Sequence, residues 1–357
     1  MIVTLPTGTL RVRIDRADWP LDRLCGFGAR RNPRRGFLIV SRVLGRHWPA
    51  RPSEMRDSAR DLAALVPADL PGPVLVLGFA ETAVCLGQTL CREWRALTGR
   101  DDAVFLPSTR QRIDAPLLCG FEEPHSHASA HLVYRPALPG VPPRSLILVD
   151  DEVSTGTTIR QAAGALVECW PGVERIVVAS LTDWSGGGWL ADLPRPAQAL
   201  SLLAGALDWT PDPTAPAAVD AAPTGLLGRL EAHHNRGRLG WAGAAIDVPP
   251  VTLVPGESVR VVGTGEFTYP PFLLAEALEA RGHDVVVQAA SRSPALIGGA
   301  IGHALAFDDN YGTGVPNYLY NAAPDDRRTL ICHETPAGSI DPRLVTALDA
   351  QTLGWPA

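Results

Sequence analysis

Short, unbroken apolar runs alternate along the chain with segments in which apolar residues recur at helical spacing. Residues 74–77 (VLVL) are wholly apolar, as a strand buried on both faces must be. Residues 78–82 form a turn. Ala83, Leu86, Leu90, Trp94 and Leu97 then recur three or four residues apart, which predicts a helix. Residues 103–106 are the next strand, with Ser108, Thr109 and Arg110 at its end. Residues 146–149 (LILV) are the clearest strand. The helix after them carries Ile159, Ala162, Ala163, Leu166 and Val167 on one face, and Pro171-Gly172 ends it. Residues 175–181 are a further strand. This alternation predicts an α/β fold with a parallel, doubly wound sheet. Ligands of such sheets bind beyond the carboxyl ends of the strands. The loops after Leu77, Leu106 and Val149 are therefore where chemistry is expected.

Other stretches are less regular. Residues 36–44 read as a strand or a short buried segment, 116–131 as a long loop and 132–134 as a short strand. Residues 208–224, rich in Pro and Ala, read as a linker or loosely packed crossing. Beyond them a strand at 259–262, a loop at 263–266, a helix at 271–280 and a strand at 285–288 form a second, smaller α/β unit. The expected organisation is a domain at 1–207, a crossing segment at 208–245 and a second domain at 246–357.

Composition narrows the class. The chain has 357 residues, 46% hydrophobic and 20% charged, which suits globular domains and not a disordered chain. No apolar run approaches the length of a membrane span. The charged N-terminus does not read as a signal peptide. Six scattered cysteines make no disulfide scaffold, so a reducing cytoplasm is expected. All 32 basic residues are Arg. Schiff-base lysine chemistry and a Walker-type phosphate lysine are thereby excluded. Any anion clamp must use Arg, His or backbone N–H groups. Residues 1–60 hold thirteen Arg against five acids on an acidic chain. This segment faces either solvent or a phosphorylated ligand. Nucleic acid is the alternative, but aromatic residues do not interleave with the arginines in a stacking pattern.

One segment carries a chemical signature. Residues 146–158 read LILVDDEVSTGTT. Asp150 and Asp151 sit where a buried strand ends, and Ser154, Thr155, Gly156, Thr157 and Thr158 turn into a helix. Backbone N–H groups of such a turn can cradle a phosphate, and Gly156 allows close approach. The hydroxyls add donors. Adjacent carboxylates can accept charge-assisted hydrogen bonds from two sugar hydroxyls. The combination describes a site for a sugar 5-phosphate with a vicinal diol.

This segment resembles the PRPP-binding signature of type I phosphoribosyltransferases. Residues 31–45, 78–83 (GFAETA), Ser108-Thr109-Arg110 and 120–131 (GFEEPHSHASAH) extend the likeness to the phosphoribosyltransferases of bacterial tellurite-resistance and stress-response clusters. Those carry a C-terminal domain named for a Thr-Arg-Ser-Pro signature, and here Ser291-Arg292-Ser293-Pro294 stands in its place. The resemblance implies Mg²⁺-dependent transfer of phosphoribose from PRPP to an unidentified small nitrogenous base, and it admits a homodimer. It implies that Asp150 and Asp151 hold the ribose hydroxyls and that Ser154 to Thr158 hold the 5-phosphate. Phe79, Ala80, Glu81 and Thr82 would bind pyrophosphate, with Arg110 reaching the same group. The mobile-loop lysine of some relatives has no counterpart, so Arg110, Arg112 or a His must replace it. Glu122, Glu123, His125 and His127 fall where the mobile catalytic loop lies. A His or Glu among them would handle a proton on the base, His125 and His127 would bind zinc with His131, or the segment is plain polar loop. No protein metal site is assigned. Two alternatives remain: a PRPP-sensing binding protein, although no DNA-binding helix pair is seen, and a two-lobed PRPP-synthesising enzyme, against which the missing nucleotide loop counts.

The two α/β units can be laid on each other. Gly78 and Glu81 match Gly263 and Glu266, Phe121-Glu122-Glu123 matches Phe307-Asp308-Asp309, and Tyr134 and Tyr320 each lie 13 residues after that Phe. Leu148, Val149, Glu152, Gly156 and Thr157 match Leu330, Ile331, Glu334, Gly338 and Ser339 without a gap, which puts Asp150 and Asp151 on Cys332 and His333. A diverged second copy of one core is the expectation, and a different strand order in the two units would remove it.

Overall fold

Apolar runs and amphipathic segments become, among the described residues of this computed structural model, twenty strands and six α-helices. Residues 1–30, 32, 35–122, 130–136, 142–215, 228–229, 237–323 and 325–355 are described. In chain order the elements are β1 (Ile2–Leu5), β2 (Gly8–Ala17), α1 (Leu21–Leu24), β3 (Cys25–Arg30), β4 (Phe37–Ser41), α2 (Pro52–Leu65), β5 (Val74–Gly78), α3 (Ala83–Thr98), β6 (Ala103–Pro107), β7 (Gln111–Arg112), β8 (Leu117–Glu122) and β9 (Ala130–Tyr134). They continue with β10 (Ser145–Val153), α4 (Thr157–Cys169), β11 (Arg175–Asp183), β12 (Ala197–Pro211), β13 (Gly228–Arg229), β14 (Ser258–Gly263), α5 (Tyr269–Ala280), β15 (Asp284–Ala289) and β16 (Ala295–Gly299). The last are β17 (Ala304–Asp308), β18 (Pro316–Tyr320), β19 (Arg328–His333), α6 (Pro342–Ala347) and β20 (Gln351–Gly354).

The chain divides into two compact units: residues 1–55, 203–224 and 248–356, and residues 56–202 and 225–247 with residue 357. This division by compactness cuts the chain differently from the expected 1–207, 208–245 and 246–357. The first 55 residues go with the C-terminal region because β3 pairs antiparallel with β16. Part of the stretch read as a linker is strand, since Asp208 to Pro211 pair with β2.

In the unit containing residues 56–202, β6, β5, β10 and β11 lie side by side and all parallel. The apolar runs occupy the centre: Leu146 to Val149 are wholly buried. Helix α3 buries Leu86, Leu90 and Trp94 at the predicted spacing and ends on left-handed Gly99, whose N–H donates to the Arg95 carbonyl. Helix α4 buries Ile159, Ala162, Ala163 and Leu166 against the same core. The stretch read as a long loop is instead largely an antiparallel hairpin, β8 with β9. Its strand character is hidden because β8 is half-exposed and keeps no clean alternation. In the other unit β15, β14, β19 and β20 form a four-stranded parallel sheet, with the hairpin β17–β18 beside the crossover.

Candidate functional site

Strand β10 runs on past its apolar stretch. Asp150 and Glu152 still pair with Ser180 and Thr182 of β11, so the acids lie on the strand and not beyond it. They are only partly buried, unlike the residues before them. The Asp150 carboxylate accepts from the Asp151 N–H at 3.0 Å. The Asp151 carboxylate accepts from the Thr82 hydroxyl at 2.8 Å, which ties the loop after β5 to β10. Burial first, and the neighbouring Glu152 carboxylate second, push Asp151 up to about 6. A carboxylate that is costly to ionise invites donors, and sugar hydroxyls are suitable ones.

The turn after β10 is built around Gly156, which caps α4 at φ +69°. A Cβ there would lie 2.2 Å from Cδ2 of Trp189, so the indole backs the turn closely. The Trp189 N–H donates to the Ser185 hydroxyl at 2.7 Å, which in turn donates to Asp183 at 2.6 Å. Ser154 and Thr155 are exposed, Thr157 and Thr158 half-buried. The Thr155 and Thr157 hydroxyls are 3.0 Å apart. Arg160 donates to the Thr157 hydroxyl at 3.4 Å and pairs with Asp192 at 2.8 Å. No acid occupies the first turn of α4. The N–H groups that start α4, where Thr157 N–H meets the Thr155 hydroxyl at 3.4 Å, suit an anion together with the hydroxyls and a cation one turn in.

The loop after β5 is fixed from two sides. Phe79 N–H donates to the Val149 carbonyl at 3.1 Å, and the Ala80–Glu81 peptide is cis. Ala80 N–H donates to the Ser108 hydroxyl at 2.9 Å, and that oxygen is 2.8 Å from Nδ1 of His131. A hydroxyl can accept the first bond and donate the second, which leaves the ring proton on Nε2. His131 is 1% exposed and stacks on Phe121 at 4.7 Å, with Phe79 edge-on. It is a packed core histidine; His125 and His127, its companions in the zinc alternative, lie outside the described residues. Ser108→Ala is expected to leave the buried Ala80 N–H without its acceptor and cost about 1–3 kcal/mol. Denaturant unfolding of the full chain measures this.

Arg110 is 4% exposed; its Nε lies 3.8 Å from the Glu81 carboxylate, and it donates to the Ala130 carbonyl at 3.2 Å. The guanidinium is thus held beside Glu81 of the loop after β5. Arg112 is exposed on β7. Glu122 is exposed at the end of β8, opposite Ala130. Glu123, His125 and His127 lie outside the described residues. Three contributors escaped sequence reading. Ser108 has no local signal of its role, because its neighbour on the loop is 28 residues away. Arg160 follows Thr157 by three residues on one helix face, a spacing that could have found it. Trp189 had no signal, since it reaches Gly156 from 33 residues away.

Two adjacent carboxylates, a hydroxyl-rich turn at a helix start and an Arg-backed loop thus lie at the carboxyl ends of β5 and β10. The PRTase_2 pattern, that of a phosphoribosyl transferase, matches residues 24–206, just over half of the chain. The chain belongs to the phosphoribosyl transferase family. The TRSP domain found C-terminal to such transferases matches residues 231–347. No curated protein matches. Among solved structures, the adenine phosphoribosyltransferase of Rhodothermus marinus is 16% identical, with 48% of this chain and 90% of that one covered and a TM-score of 0.33. The Saccharomyces cerevisiae adenine enzyme gives 18%, 43%, 79% and 0.29. The orotate phosphoribosyltransferase of Aeropyrum pernix gives 19%, 48%, 80% and 0.29. In this phosphoribosyl transferase both loops and both aspartates fall within the family match. Among the described residues no helix is long and apolar enough to cross a membrane.

Proposed function

We propose that the chain transfers phosphoribose from PRPP to a small nitrogenous base and releases pyrophosphate. The observation that carries this is the junction of Asp150 and Asp151 with the Gly156 turn and the loop Phe79–Thr82. Asp150 and Asp151 accept from the ribose hydroxyls, and residues 154–158 hold the 5-phosphate by N–H and hydroxyl donors. Arg110 and the N–H groups of the 79–82 loop stabilise the charge that gathers on pyrophosphate as its bond to the anomeric carbon breaks. The base nitrogen then bonds that carbon, through an oxocarbenium-like state. Packed Phe79, Phe121 and His131 keep the loop in place. Adjacent hard-oxygen donors suit Mg²⁺ shared with the ligand's own oxygens. When bound, the ion would offset pyrophosphate charge, and Asp150 and Asp151 would be the carboxylates to hold it.

We take the setting to be cytoplasmic, which six cysteines scattered along the sequence without the spacing of a disulfide scaffold support. The resemblance to tellurite-resistance phosphoribosyltransferases supports a product used in stress response. The test is pyrophosphate release from PRPP with Mg²⁺ against a panel of purine, pyrimidine and nicotinic bases. Release with one class of base is the expected result. PRPP binding without release for any base would make the chain a binding protein. No PRPP binding would remove the reading altogether.

A further inference from the structure

The two parallel sheets share one plan. In strand order β6-β5-β10-β11 and β15-β14-β19-β20 are the same arrangement: second, first, third, fourth. A helix follows the first strand in each (α3, α5) and the third strand in each (α4, α6), and an antiparallel hairpin precedes the third (β8–β9, β17–β18). Strand order alone is common among α/β folds, but the details also agree. A Cβ on Gly78 would lie 2.4 Å from the Ala83 carbonyl, and one on Gly263 2.5 Å from the Phe267 carbonyl. Ser108 N–H donates to Gly78 O at 2.9 Å, and Ala290 N–H to Gly263 O at 3.0 Å. Thr109 exchanges two backbone bonds with Leu132, and Ser291 does so with Tyr318.

The tyrosines decide the matter. Tyr134 donates its hydroxyl proton to Gln111 O and accepts from Ile113 N–H, at 3.2 and 3.0 Å. Tyr320 donates to Ser293 O and accepts from Ala295 N–H, at 2.6 and 2.7 Å. Nothing in parallel-sheet formation requires a hairpin tyrosine to bracket the segment after the second strand. Phe121 faces His131 and Phe307 faces Asn317 at the same place in the two hairpins. Arg292 is therefore the counterpart of Arg110. Sheet register also corrects the sequence alignment by one residue. Gly78 pairs with Val149 and Gly263 with Cys332, so Asp150 and Asp151 correspond to His333 and Glu334. One carboxylate is kept, not lost.

The second cleft is closed by its own hairpin loop. Asn310 donates to the hydroxyls of Thr264, after β14, and Thr335, after β19, at 3.3 and 2.9 Å. The Tyr311 hydroxyl lies 3.1 Å from the Thr264 carbonyl and 3.0 Å from the Glu334 carboxylate. Its ring lies against Gly265, where a Cβ would be 2.8 Å away. The Thr335 hydroxyl is also 2.6 Å from that of Ser339. Burial pulls the His333 pKa down, so a neutral ring stands where Asp150 offers charge. Asp341, held at about 2 by Arg343, caps α6 where the first copy leaves its N–H groups to a ligand.

We propose that the C-terminal unit is a second copy of the transferase core, sealed by Asn310 and Tyr311, which leaves one phosphoribosyl site per chain. The count of transfer sites rests on the function proposed above; the sealing does not. Hydrogen exchange of the full chain tests the seal. In Asn310→Ala/Tyr311→Phe, amides of residues 264–267 and 335–339 are expected to exchange roughly tenfold faster or more, with 79–83 and 150–158 unchanged. Unaltered exchange at 264–267 and 335–339 overturns the seal. Calorimetry with PRPP and Mg²⁺ tests the count. One equivalent, lost in Asp150→Asn/Asp151→Asn, is expected. An equivalent that survives that change and disappears with Arg292→Gln overturns the proposal. If the native chain takes up no PRPP, the proposed function fails while the exchange result still decides the seal.

Discussion

The Asp150→Asn/Asp151→Asn chain is expected to bind PRPP roughly 10²- to 10⁴-fold more weakly than the native chain. Each carboxylate is placed to accept a charge-assisted hydrogen bond, worth about 1.5–3 kcal/mol. Asn keeps the shape but loses the charge, and its amide end presents donors to a donor. Calorimetry reads the loss directly. Affinity of the native chain should also depend on pH. A protonated Asp151 no longer accepts as an anion, so binding is level above pH 7 and falls as pH drops through about 6. The stability effect has the opposite sign. Between the ordinary 3.8 and about 6 the folded chain holds more protons at this group than the unfolded chain. Stability therefore falls as pH rises through that window, and the ionised group is a cost at neutral pH. Asp151→Asn should melt at or above the native temperature at pH 7.5, and the gain should vanish near pH 4. Weak binding with undiminished melting would place the loss in the site and not in folding. A variant that binds PRPP as the native chain does would remove Asp150 and Asp151 from it.

What the sequence shows and hides follows from how local each signal is. Residues 74–77 and 146–149 are legible because both faces of each strand are buried, which forces an unbroken apolar run. The cradle is legible because its strand, acids and turn are contiguous from Leu146 to Thr158. Strand β8 is not, because Leu117, Gly120 and Glu122 are exposed while Phe121 alone is fully buried. The attachment of residues 1–55 to the C-terminal region is also hidden. It depends on pairing between β3 and β16, whose sequences CGFGAR and ALIGG advertise no partner. The repeat was visible in Phe307, Tyr320 and Gly263, but its register was not. A gapless match by residue identity sets Gly156 on Gly338 and cannot see that the turns after β10 and β19 differ by one residue, whereas the pairing of Gly78 with Val149 and of Gly263 with Cys332 does.

Gly156→Ala is expected to disable the 5-phosphate cradle more severely than loss of any one hydroxyl in it. Two costs act together. The residue sits at φ +69°, which an L side chain adopts at about 1–2 kcal/mol. Its Cβ would also fall 2.2, 2.5 and 2.7 Å from three atoms of the Trp189 indole. Trp189 is 7% exposed, packs into the core with Leu193, and is held by the Ser185 hydroxyl, so it cannot swing aside freely. Overpacking of this kind costs about 1–3 kcal/mol. Relief by moving the turn instead shifts the N–H groups proposed to hold the 5-phosphate. The expected result is a 10²-fold or larger rise in KM for PRPP, on an order-of-magnitude reading of those combined costs, with a lower melting temperature. Trp189→Ala separates the two causes. In the Gly156→Ala background it removes the overlap but not the backbone strain, so affinity should return in part. Full recovery would mean that the indole alone sets the turn. No recovery would assign the whole effect to the left-handed backbone at Gly156.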